Sequence, residues 1–234
     1  MVEEQAEISY RVPLLNRIAR RLLKPVFQGI FRLLANVKVT GKENVPFGKP
    51  YLAAINHISL FDPPFALTFW PEMIEAMGAS TIWEKLGQAQ LVSMYHAIPV
   101  HRGDYDRALF DKVLSVVRSG RPLLIAPEGT RSHREEMSRA RPGIAFIIEK
   151  SQVPVLPVGI VGTTDDFFKK AIRAERRTLE LRIGKPVLLP AVEGRGDERR
   201  EARQCNADLV MAHIAGLLPE QYRGYYTNRA VEPK

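Results

Sequence analysis

Apolar residues recur at helical spacing over residues 11–34, where Leu15, Ile18, Leu22, Val26 and Ile30 form one stripe. Arg17, Arg20, Arg21 and Lys24 lie on another face of the same helix. Pro25 removes a backbone donor from the middle of this pattern, so a kink or a break into two helices is expected there. From residue 37 the pattern changes. Short apolar runs at 37–40, 51–56, 74–78, 98–100, 123–126, 155–161 and 179–183 predict strands. Helical patterns fall between them at 63–70, 81–95 (broken), 104–119 and 144–151, and a long helix over 198–217 closes the chain. Short strands alternating with helices predict an α/β fold with a mostly parallel central sheet flanked by helices. We therefore expect an N-terminal amphipathic helical element over residues 1–36 and an α/β domain over residues 37–234.

Charge and cysteine content narrow the class. The 234 residues carry a formal net charge of +8, which favours an anionic partner: a membrane surface, nucleic acid or a phosphorylated substrate. Aromatic residues make up 8% and show no stacking pattern beside the basic ones, so nucleic acid is not expected. The single cysteine, Cys205, allows no internal disulfide. The first seven residues are acidic rather than basic, unlike a secretory signal, and no apolar run approaches the roughly 18 residues of a spanning helix. A reducing, cytosolic setting is the default. His96, His101, His133 and His213 show no metal-ligand spacing, and neither metal nor cofactor is expected.

Polar residues collect where three of the strands end. His57 and Asp62, five positions apart, follow the first long apolar strand. On one helix they would point to different faces, so they meet only if the chain curls at the strand end. Pro63 biases Asp62 away from helical ψ and then starts a helix. Taken alone, His57 reads as a core histidine and Asp62 as a helix cap. Taken together, they are the pair that makes a neutral imidazole an oriented general base. Arg102 follows the strand at 98–100. Glu128, Gly129, Thr130 and Arg131 follow the strand at 123–126, with Gly129 permitting close backbone approach and Arg131 offering a planar fork for phosphate. Open α/β sheets bind ligands beyond the carboxyl ends of their strands, so neighbouring strands would bring a base and two arginines into one crevice. Ser59 sits in no nucleophile elbow.

The set of motifs resembles the glycerolipid acyltransferase family, of the 1-acylglycerol-3-phosphate acyltransferase type. Asn56, His57 and Asp62 match its Asn-His-x4-Asp motif, and residues 98–102 resemble its arginine-bearing second motif. Residues 127–132 match Pro-Glu-Gly-Thr-Arg-Ser in full, and residues 153–158 match its Val-Pro-x-x-Pro-Val strand. Arg141-Pro142-Gly143 resembles the basic-x-Gly that follows the third motif. Ala126 stands where the family commonly has an aromatic, and residues 78–82 lack a lysine often found there. The resemblance covers about residues 35–190 and implies an O-acyltransferase of phospholipid biosynthesis. The acyl group would come from a thioester, acyl-CoA or acyl-carrier protein. The acceptor would be lysophosphatidic acid, with glycerol-3-phosphate or another lysophospholipid as alternatives. His57 and Asp62 would be catalytic. Arg102, Glu128, Gly129, Thr130 and Arg131 would bind substrate. Arg17, Arg20, Arg21 and Lys24 would dock on an anionic membrane at its cytoplasmic face, with the apolar stripe either sinking into the headgroup boundary or packing on the domain.

Overall fold

The computed structural model describes residues 10–101, 106–132 and 134–232. Among them a seven-stranded sheet has the order β1-β7-β6-β2-β5-β3-β4. The strands are β1 (Asn36–Thr40), β2 (Leu52–Ile55), β3 (Glu75–Ala79), β4 (Ile98–Val100), β5 (Leu123–Ile125), β6 (Val155–Val161) and β7 (Thr178–Ile183). All neighbours pair in parallel except β6 and β7, which are antiparallel. The expected mostly parallel α/β sheet is what forms.

Both faces of the sheet are covered, and β2 shows why its sequence is apolar throughout. Its side chains alternate between two cores. Leu52 and Ala54 join α4 (Arg107–Arg118), α5 (Pro142–Ser151) and α7 (Gly196–Gly216) on one face. Ala53 and Ile55 join α1 (Leu14–Leu34), α2 (Asp62–Phe69) and α6 (Phe167–Ile172) on the other. The short α3 (Gln88–Tyr95) lies against α1, and α8 (Glu220–Arg223) follows α7. The expected helix at 104–119 starts at Arg107, where the Asp106 side chain accepts from the Leu109 N–H at 2.9 Å; its first two expected residues lie outside the described ones.

Of the two alternatives at Pro25, a kink or a split, the split does not occur, and the expected basic face of α1 needs correction. The helix runs unbroken from Leu14 to Leu34 in spite of Pro25, whose exposed position leaves the freed Arg21 carbonyl on the solvent side. And Arg20 and Lys24 do not lie on an outer basic face. Asn16, Arg20, Lys24 and Gln28 are four apart and form one row, and that row points into the protein. Asn16 donates to the Ser93 and Met94 carbonyls, and Arg20 Nε donates to the Tyr95 carbonyl at 2.6 Å. Lys24 Nζ donates to the Trp70 carbonyl at 2.7 Å and Gln28 to that of Thr68 at 3.1 Å. These acceptors are carbonyls at the C-terminal ends of α3 and α2, which lack helical partners and attract positive charge. Arg20 also forms a two-pronged ion pair with Glu75 at 2.9 and 2.6 Å, and both side chains are buried. Arg121 and the Tyr10 hydroxyl complete the Glu75 carboxylate's partners.

The apolar stripe therefore faces outward. Leu15 is 80% exposed, Leu22 65% and Leu33 75%, and Ile18, Val26 and Ile30 are exposed with them. Arg17 and Arg21 remain on the surface. No helix among the described residues is long and apolar enough to cross a membrane.

Candidate active site

The site forms where β2, β5 and β6 end side by side. The register pairs Ala54 with Ile125 and Ile55 with Val158, so the residues after β2 emerge between the two neighbouring strands. Asn56 fixes that exit. Its side-chain amide donates to the Ile160 carbonyl at 3.0 Å and its oxygen accepts from the Ile160 N–H at 2.7 Å. A side chain thus substitutes for one rung of the β2–β6 ladder, and the backbone is freed to curl.

That curl brings His57 and Asp62 together. Asp62 is fully buried and its Oδ2 lies 3.0 Å from His57 Nδ1. The same oxygen accepts from the Ile58 and Ser59 N–H groups, each at 2.7 Å. Asp62 caps backwards onto its own loop and makes no capping bond into α2. Its other oxygen, Oδ1, accepts from the Thr163 hydroxyl, on the loop after β6. With all these donors aimed at it, the carboxylate holds the His57 proton on Nδ1 and leaves Nε2 as the acceptor. The imidazole is 14% exposed, enough to meet a substrate from one side.

The turn after β5 packs against this pair. The Ser132 N–H donates to the His57 carbonyl at 2.8 Å. The buried Glu128 accepts from the His57 N–H and the Ser138 N–H, each at 2.8 Å. Burial pushes its carboxyl up to about 7, against the downward pull of those two donors. Gly129 adopts φ +68°, and a Cβ there would lie 2.8 Å from Arg141 Cδ, so Arg141 lies across the turn at a position that favours glycine. Arg131 is 31% exposed and 3.4 Å from Asp165, a loose contact that an anion can displace. A cavity of about 590 Å³ adjoins the turn and is lined by Arg131, Arg134, Ser138, Arg139 and Tyr225, among others.

The sequence-derived residues thus divide. His57, Asp62, Glu128, Gly129, Thr130 and Arg131 lie on the adjacent exits of β2 and β5. The exit of β4, expected to join them, does not neighbour them. β5 and β3 stand between β4 and β2, about 14 Å at the usual strand spacing. Arg102 itself, like His133, lies outside the described residues. Thr163 and Asp165 belong to the site and were missed; the only sequence signal for them is a polar cluster, Thr163 to Asp166, directly after a buried strand. Among the described residues no group of three or more His, Cys, Asp or Glu side chains is placed to hold a metal ion.

A mostly parallel α/β fold with a buried-acid–histidine pair at a strand end is compatible with a transferase or a hydrolase. Comparison with known proteins decides between them. The acyltransferase family model matches residues 36–161, which holds the sheet from β1 to β6 and every motif named above. The chain belongs to the acyltransferase family, the glycerolipid O-acyltransferases its ordered motifs resemble. It is similar to 1-acyl-sn-glycerol-3-phosphate acyltransferases of Bacillus subtilis (25% identical over 161 residues, 68% of this chain and 77% of the relative) and of Borreliella burgdorferi (29% over 143 residues, 59% and 57%). Its fold is similar to that of the crystal structure of the 1-acyl-sn-glycerophosphate acyltransferase PlsC from Thermotoga maritima, with a TM-score of 0.60, 21% identity and coverage of 83% and 79% of the two chains.

Proposed function

We propose that the protein transfers a fatty acyl group from a thioester, acyl-CoA or acyl-carrier protein, to the sn-2 hydroxyl of lysophosphatidic acid, giving phosphatidic acid. The observation that supports this reading is the partly exposed His57 imidazole held through Nδ1 by the buried Asp62, with the turn that carries Arg131 bonded to the His57 backbone. Nε2 takes the proton of the acceptor hydroxyl as its oxygen bonds to the thioester carbonyl carbon. The tetrahedral intermediate expels the thiolate, and the imidazolium returns the proton to that sulfur. Asp62 stabilises the imidazolium while it lasts. Neither an acyl-enzyme nor a cofactor is needed. Arg131 exchanges Asp165 for the acceptor phosphate, with Gly129 and Thr130 shaping the turn beneath it.

The lipid acceptor also accounts for α1. A helix that turns its polar row inward and its apolar stripe outward suits a membrane interface, in which the stripe sinks to the acyl boundary without spanning it. Arg17 and Arg21 supply attraction to anionic lipid, about 1 kcal/mol each. The expected site is the cytoplasmic face of the cell membrane, held peripherally.

Incubation with radiolabelled oleoyl-CoA and lysophosphatidic acid tests the reaction. The wild type forms labelled phosphatidic acid, and His57→Ala loses at least roughly 10²–10⁴-fold in rate. Equal rates for the two proteins would overturn the general-base role, and a wild type inactive on lysophosphatidic acid but active on another acceptor would reassign the substrate.

A further inference from the structure

The layer that holds α1 exposes apolar side chains at a second place, beside the catalytic pair. On α6, Phe167 and Ala171 are buried, while Phe168 is 47% and Ile172 69% exposed. Phe168 and Ile172 are four apart and share the outward face. Helix α6 is fixed to α1: the Phe31 and Phe167 rings stack at 6.2 Å, and Arg176 donates to the Arg32 carbonyl at 2.9 Å. It is equally fixed to the site. Asp165 accepts from the Leu60 N–H at 3.0 Å, and the Phe61 ring meets Phe167 edge-on at 5.6 Å, one residue before Asp62. The charge around this surface is mixed but net positive: Asp165, Asp166 and Glu175 flank α6, with Asp166 paired to Lys170, against Lys169, Arg173, Arg176 and Arg177. Residues 10–42 contain no Asp or Glu, and the last turn of α6 carries Lys169 and Lys170, with Arg173 following the helix. Apolar side chains bordered by cations fit the boundary of an anionic bilayer.

We infer that α6 is a second bilayer contact, which places Phe168 and Ile172 in the interface of an anionic membrane at the edge of the catalytic site. The acceptor then reaches His57 from within the lipid plane, and its acyl tail stays in the membrane during transfer. This rests on the membrane reading of α1 and extends it to an element outside the N-terminal helix.

Site-specific probes separate the two. In a Cys205→Ser background, Leu22→Cys, Phe168→Cys and Leu188→Cys each carry an environment-sensitive fluorophore. Leu188 is exposed beside Ile148 and Asn206, in the layer on the other face of the sheet. With vesicles of equal parts phosphatidylcholine and phosphatidylglycerol, emission at positions 22 and 168 shifts to the blue and is quenched by lipids spin-labelled near the headgroup; position 188 does not change. A response at 22 with 168 behaving like 188 overturns the inference and leaves the α1 reading standing. Silence at both 22 and 168 overturns the membrane reading and the inference with it. As a second measurement, Phe168→Ser with Ile172→Ser lowers the rate on vesicle-embedded lysophosphatidic acid and leaves the rate on a soluble short-chain acceptor unchanged. An equal loss on both would assign α6 to the catalytic fold alone and also overturn the inference.

Discussion

Thr163 donates its hydroxyl to Asp62 Oδ1, across 101 residues of sequence, while Asp62 Oδ2 faces His57 Nδ1 at 3.0 Å. Both oxygens of one buried carboxylate are thereby committed, and the plane of the carboxylate sets the plane of the imidazole. Thr163→Val keeps the volume and removes the donor. The carboxylate then gains a rotation that the remaining donors do not prevent. We expect kcat to fall about 10-fold, near 1.4 kcal/mol of transition-state stabilisation, with KM for the acceptor unchanged. Thr163→Ser restores most of the rate. A purely structural role would instead lower stability in both variants alike and leave kcat per folded molecule unaltered.

Arg20 is the cation whose removal the fold will feel. Glu75 has no solvent exposure, and its carboxylate takes two of its bonds from Arg20. Arg20→Ala leaves a buried anion with Arg121 and Tyr10 as partners and is expected to cost about 3–5 kcal/mol, read as a lowered urea midpoint. Arg17→Glu with Arg21→Glu changes the unfolding free energy by no more than about 0.5 kcal/mol, since both are surface positions. The same double change weakens flotation with anionic vesicles, whereas in neutral vesicles it has little effect. Equal urea midpoints for Arg20→Ala and the wild type would remove Arg20 from its anchoring role.

The contrast between these arginines shows what the sequence could and could not reveal. The His57–Asp62 pair was legible because its members are five positions apart and a short turn suffices to join them. The sheet was legible because β2, β5 and β6 are buried on both faces and therefore apolar without alternation. The orientation of α1 was not. Its apolar stripe and its Asn16–Arg20–Lys24–Gln28 row have the same period, and helical periodicity does not say which face turns inward. That was decided by Glu75 and by carbonyls at the ends of α2 and α3, all of them distant in sequence. Thr163 was hidden for the same reason, since a threonine after a strand is ordinary until Asp62 is found beside it. Helix α6, at six residues, is too short to display a period at all.

Glu128 predicts a pH dependence of stability. Burial places its folded pKa at about 7, above the ordinary value of about 4.3 expected in the unfolded chain. Between those values the folded state holds a proton that the unfolded state has released. Stability therefore falls as pH rises from about 4.3 to about 7, by about 3 kcal/mol across the window. Glu128→Gln cannot titrate, so its curve lacks this slope. The amide also offers one oxygen in place of two, so either the His57 or the Ser138 N–H loses its acceptor and the variant is offset downward by about 1–3 kcal/mol at every pH. The slope is the diagnostic quantity. Urea unfolding of both proteins across this range checks it, and parallel curves would contradict the raised value.

Gly129 tests the substrate turn without touching the histidine. Its φ of +68° costs an alanine about 1–2 kcal/mol, and the new Cβ would sit 2.8 Å from Arg141 Cδ. Arg141 is tied to the same turn through its N–H, which donates to the Pro127 carbonyl at 2.9 Å, so relief comes from moving its side chain outward. Gly129→Ala and Gly129→Asn both displace Arg141, but Asn tolerates the left-handed backbone better. Asn is thus expected to be the more stable of the two, with a similar effect on catalysis. If the turn holds the acceptor's phosphate beneath Arg131, both variants raise KM for lysophosphatidic acid and change kcat little, because Asp62 and His57 do not move. A fall in kcat at constant KM would instead place the turn next to the reacting carbonyl and remove it from acceptor binding.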